Sequence, residues 1–128
     1  MFMIFAAAAI TASGGMAQEA PPFFEKTYPE HTLDEAWTLY GTLGNDEASL
    51  DSKTRELIAL AVSAQIPCQY CVYAHAKMAR KAGATEAEVR EAVATAANVR
   101  MWSTVLNGMG YDFDTFKAEH DAVAPPTN

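Results

Sequence analysis

Residues 53–65, KTRELIALAVSAQ, are apolar on nearly every side from Leu57 onward. A helix with that pattern has no face to offer to water, so the rest of the chain must be built around it. No stretch of this 128-residue sequence keeps the alternation of polar and apolar residues that a half-buried strand needs. The pattern therefore predicts an all-α fold, a compact helical bundle of one domain with the 53–65 helix central and buried.

Around that helix the other elements are marked by their ends. Residues 32–43, TLDEAWTLYGTL, open with Thr32 and Glu35 in capping-box spacing and set Leu33, Trp37 and Tyr40 on one face. GNDEASLDS is a loop, after which Asp51 or Ser52 caps the central helix. Pro67, placed for a first turn, predicts a new helix over about 68–82 that stops at Gly83. Thr85 and Glu88 form a second capping-box pair and start a long helix along which Val89, Ala92, Val93, Ala96, Val99, Trp102, Val105, Leu106 and Met109 keep helical spacing. A short helix over Asp114–His120 closes the domain.

The first 17 residues read differently. An apolar run, FMIFAAAAITA, leads to SGGMA, with small residues Gly15 and Ala17 ahead of a cut before Gln18. That is the layout of a secretory signal, although no Lys or Arg precedes the run. The expected organisation is a signal over 1–17, an extended Pro-rich linker over 18–31, a helical domain over 32–120 and a flexible tail over 121–128. The matching destination is periplasmic or secreted, or cytoplasmic if the start is misassigned. Sixteen acidic residues against nine basic give a net charge of −7. No basic stripe suits a nucleic acid, and an anionic membrane surface is no natural partner after processing.

The chemistry concentrates in PCQYCVYAH, residues 67–75. On a helix Cys68, Cys71 and His75 fall at i, i+3 and i+7, hence on one side. A helix N-terminus supplies unpaired N–H groups and partial positive charge, both of which favour a thiolate. Glu56 stands at the start of the apolar helix, where a carboxylate needs a partner. A hairpin about Pro67 would turn it toward the motif.

Several roles fit these residues. A disulfide across so short a loop adds little closure entropy, which favours redox work over a purely structural staple. Cys68, Cys71 and His75, with Glu56 as a fourth ligand, make a zinc site the next rival, although structural zinc more often takes two separated ligand pairs. Covalent haem needs His directly after the second cysteine, where Val72 stands, and no βαβ pattern supports a thioredoxin-like fold. No cofactor or metal is expected. His75 would in the plainer reading satisfy a backbone carbonyl, and Glu56 would pair with Lys53, Arg55 or a basic group of another helix. Lys77, Arg80 and Lys81 read as a solvated helix end. Trp37, Trp102 and the methionines read as core or protomer interface.

RELIALAVSAQIPCQYCVYAHAKMARKAGATEAEVREAV resembles the core of the AhpD-like, carboxymuconolactone decarboxylase-like family. The redox branch of that family has a Glu, a Cys-x-x-Cys beginning twelve residues later, and a His four residues after the second Cys. Glu56, Cys68, Cys71 and His75 match it position by position, and the later stretch Arg100–Gly110 adds weaker support. The resemblance implies an all-α protomer that assembles as a trimer or hexamer. It also implies an alkylhydroperoxidase-type activity in which Cys68 and Cys71 cycle between dithiol and disulfide while Glu56 and His75 relay protons.

Two departures matter. The family's well-studied peroxidases carry a His between the cysteines, where this chain has Tyr70. Their cytoplasmic, lipoyl-bearing donors would also not serve an exported protein, which implies another thiol electron donor. The substrate class is then a peroxide or a small disulfide. The alternatives are a carboxymuconolactone decarboxylase-like small-molecule enzyme, which needs no cysteine pair, and a non-catalytic helical module stiffened by a structural disulfide.

Overall fold

The computed structural model describes residues 19–123. The expected signal over 1–17 lies outside them, as does the end of the chain from residue 124. All regular structure among the described residues is helical, and it falls into two compact units divided between Ala48 and Ser49. The division falls in the polar, exposed loop that follows the second helix.

The N-terminal unit is built on aromatic stacking. Helix α1 (Pro22–Glu25) occupies part of the stretch expected to be extended, and a 3₁₀ turn over Glu30–Thr32 runs straight into α2 (Leu33–Thr42). Phe24 stacks on Tyr28 with centroids 4.9 Å apart and meets Trp37 at 5.4 Å, and Trp37 stacks on Tyr40 at 5.1 Å. The expected Thr32–Glu35 capping box does not form. Thr32 belongs to the 3₁₀ turn, with φ −131° and ψ 7°, and lacks the extended backbone of a side-chain N-cap. Its hydroxyl donates instead to the Pro29 carbonyl at 3.4 Å.

The second unit holds α3 (Ser52–Gln65), α4 (Gln69–Lys81), α5 (Glu86–Gly108) and α6 (Phe113–Val123). Asp51 caps α3, accepting the Thr54 backbone N–H at 3.0 Å. Helix α4 ends in a Schellman motif: Gly83, at φ 91°, donates to the Arg80 carbonyl while Ala84 donates to that of Ala79. The Thr85–Glu88 capping box at the head of α5 is complete. Glu88 also accepts from Lys53 Nζ at 2.7 Å, which ties the first turns of α3 and α5 together. Three hydrogen bonds, that of Lys53 first and then those of the Thr85 backbone and hydroxyl, pull the Glu88 carboxyl down to about 2. Helix α6 reaches Val123, three residues into the stretch expected to be a tail.

Helix α3 is central, packing on both α4 and α5. Leu60 is its fully buried anchor, meeting a core that includes Ala79, Val89 and Ala96. The expectation that α3 is buried all round is corrected here. Ile58, Val62 and Ile66, one helical turn apart, are 49%, 54% and 61% exposed, because two neighbouring helices cover only part of its circumference. On α5, Val99, Trp102, Val105 and Met109 are likewise open.

Candidate functional site

The redox pair sits where α3 turns into α4. Cys68 is the N-cap of α4, so Pro67 stands just outside the helix and not in its first turn. The Cys68 N–H donates to the Ser63 carbonyl at 3.1 Å, anchoring the turn to the buried end of α3. Ser63 is itself buried, and its hydroxyl donates to the Ala59 carbonyl at 2.6 Å. Cys68 and Cys71 form a disulfide, their Cα atoms 5.3 Å apart. In addition, Cys68 Sγ accepts the Cys71 backbone N–H at 3.2 Å, which makes it the side-chain cap of the helix.

One turn further along α4, His75 Nδ1 lies 2.7 Å from Glu56 Oε2 of α3. Both side chains are mostly covered, at 23% and 15% exposed. A carboxylate facing Nδ1 accepts the ring N–H there and leaves Nε2 as the imidazole's basic nitrogen. The cationic neighbours that sequence offered to Glu56 are occupied elsewhere. Lys53 holds Glu88, while Arg55 reaches the Leu50 carbonyl at 2.9 Å and Ser52 Oγ at 3.1 Å. The four residues singled out by spacing thus form two pairs, Cys68 with Cys71 and Glu56 with His75, with Cys71 and His75 one turn apart along α4.

His31 is in the 3₁₀ turn, and His120 packs on Phe116 within α6. Among the described residues no cluster of three or more His, Cys, Asp or Glu has metal-binding geometry. Nothing in the sequence marks Gln65 and Arg100 as partners. Arg100 of α5 donates through Nε to Gln65 Oε1 at 2.7 Å and through its terminal nitrogen to the Gln65 carbonyl at 3.3 Å. Gln65 Nε2 in turn donates to the Ala96 carbonyl. This clamp satisfies the C-terminal end of α3 just before the turn that presents Cys68. A partner thirty-five residues away leaves no periodic trace.

An all-α unit with a Cys-x-x-Cys at a helix N-terminus and a Glu–His pair beside it defines the class. Residues 32–111 match the Carboxymuconolactone decarboxylase family, and the chain belongs to it. The chain is 31% identical to the alkylhydroperoxidase AhpD core from Rhodospirillum rubrum, with a TM-score of 0.63 over 69% of this chain and 65% of that one. It is 35% identical to "Uncharacterized protein 4 in cox locus" of Paracoccus denitrificans across 54% of its own length and 62% of the relative's. An uncharacterized protein of Haemophilus influenzae is 49% identical, over 42% of this chain and 46% of the other. The chain thus aligns with less than two thirds of each of these proteins.

Proposed function

We propose that the protein is a thiol-dependent oxidoreductase that reduces hydroperoxides through a Cys68–Cys71 dithiol–disulfide cycle. The observation that carries this reading is the Glu56–His75 bond of 2.7 Å, one helical turn from a cysteine pair seated on a helix end. In the reduced protein Cys68 is the nucleophile, because its sulfur already occupies the N-cap position and a thiolate there accepts the Cys71 N–H. It attacks the O–O bond of ROOH. An S–O bond forms, the O–O bond breaks, and the departing alkoxide takes a proton to leave as ROH. Cys71 then attacks the sulfenic sulfur, giving the disulfide and releasing water. His75, one turn beyond Cys71 and held by Glu56, accepts the Cys71 proton through Nε2.

Trapping separates the two cysteines. The Cys71→Ser variant should accumulate a mixed disulfide through Cys68 when offered a small disulfide. Trapping confined to Cys68→Ser would reverse the assignment.

A second reading rests on the family match itself, which bears the name of a lactone decarboxylase. That chemistry requires no cysteine pair, so turnover of a lactone substrate unchanged in the Cys68→Ser/Cys71→Ser variant would favour it. We further propose that the protein assembles as a homo-oligomer, a trimer or hexamer. The support is the open apolar stripe of Ile58, Val62 and Ile66 together with the uncovered half of α5.

A further inference from the structure

Helix α4 has a second face. Tyr70, Tyr73, Lys77 and Lys81 follow one another at helical spacing along its outer side, a stripe about 16 Å long at the α-helical rise. Tyr70 is 78% and Tyr73 70% exposed. The Lys77 ammonium lies 5.8 Å from the centre of the Tyr73 ring. The stripe begins beside the disulfide, since Tyr70 stands between the two cysteines.

Its charge runs against that of the chain. Among thirteen residues α4 carries Lys77, Arg80 and Lys81 and no acid, in a protein of net charge −7. Arg80 is committed to Glu86, whereas Lys77 and Lys81 have no ion pair among the described residues. A helix needs cations near its C-terminus only for its dipole, and Arg80 with Lys81 already serves that end. Lys77 and the two exposed tyrosines are left without a structural task in this protomer. The face is convex and open, unlike the concave sites that hold small molecules. Exposed tyrosines are instead enriched at protein-binding surfaces, and charges at the rim of such a surface steer the partner's approach.

We infer that the outer face of α4 is the docking surface for the reductant, a dithiol protein whose thiols are flanked by acidic residues. This rests on the Cys68–Cys71 pair being cycled. The donor's thiolate attacks one sulfur of the disulfide, forming a mixed disulfide and releasing the other cysteine as a thiolate that takes up a proton. The donor's second thiol then displaces the first cysteine. Two electrons and two protons pass to Cys68 and Cys71, and the donor leaves oxidised. The net negative charge of the whole chain is screened over roughly 8–10 Å at physiological salt, so the local cations govern the final approach.

Two synthetic Cys-Gly-Pro-Cys peptides test this, one flanked by glutamates and the other by lysines, with dithiothreitol as a neutral control. Each reduces the oxidised full chain under second-order conditions at physiological and at high salt. At physiological ionic strength, where the chain's net charge is screened, the glutamate peptide should react about tenfold faster than the lysine peptide. High salt, or the Lys77→Glu/Lys81→Glu variant, should abolish that preference while leaving the dithiothreitol rate unchanged. Equal rates, or faster reduction by the lysine peptide, would overturn the inference. So would a changed oligomeric state in the charge-reversed variant, which would assign the stripe to contact between copies. Failure of the reduced protein to consume hydroperoxide would remove the proposed peroxidase activity and leave the peptide ordering intact.

Discussion

Glu56 and His75 stand nineteen residues apart in sequence and 2.7 Å apart in space, carboxylate oxygen to Nδ1, joining the first turns of α3 to the middle of α4. The bond holds the His75 ring by its Nδ1 edge, and it does so from the helix that also buries Leu60. The Glu56–His75 pairing is thereby built into the packing of the central helix.

Removing the carboxylate charge should therefore cost rate more than stability. Glu56→Gln is expected to slow hydroperoxide-driven disulfide formation about 10²-fold, and His75→Ala by a similar factor, in the range for general acid–base groups. The double variant should be little slower than either single one, since the two act as a unit. Stopped-flow thiol titration gives the rates, and independent, multiplying effects would argue against a relay.

Cys68 should be the more acidic thiol. With Cys71→Ser, iodoacetamide alkylation of Cys68 is expected to titrate below the free-thiol value of about 8.5. In Cys68→Ser, Cys71 should titrate closer to that value, lacking the N-cap position that Cys68 occupies. The opposite order would transfer the nucleophile's role to Cys71.

Much of this was legible from the residues, for local reasons. Asp51, Gly83 and the Thr85–Glu88 pair mark helix ends because caps act through bonds to neighbours three or four residues away. The shared side of Cys68, Cys71 and His75 follows from helical periodicity alone. Thr32 failed as a side-chain cap because the 3₁₀ turn before it depends on the path of the preceding chain. The Arg100–Gln65 clamp and the Lys53–Glu88 bridge each span thirty-five residues and rest on packing that no periodicity encodes.

The Lys53–Glu88 bridge should appear as an acid-dependent share of stability. The Glu88 carboxyl lies at about 2 in the folded protein against an ordinary value of 4.5. A depressed carboxylate contributes fully above the unfolded value and loses that contribution as pH falls through the folded one. Glu88→Gln should accordingly be less stable than the parent near neutral pH, with the difference shrinking below about pH 4.5 and vanishing toward pH 2. Urea melts across that range check it, and a pH-independent gap would contradict it.

Burial separates the two sides of α3. Leu60→Ala should cost about 2–5 kcal/mol in denaturant melts, as expected for a fully buried leucine. Val62→Ser and Ile66→Ser, on the open stripe, should leave the protomer folded but shift sedimentation toward smaller species. Unchanged sedimentation would leave that stripe without the assigned partner.

The most direct test of the central claim is a single turnover. The fully reduced protein is mixed with an organic hydroperoxide, and loss of thiol and loss of peroxide are followed together. The account predicts one peroxide consumed for each Cys68–Cys71 disulfide formed, with both signals slowed alike by Glu56→Gln. Thiols that persist in excess peroxide would contradict it.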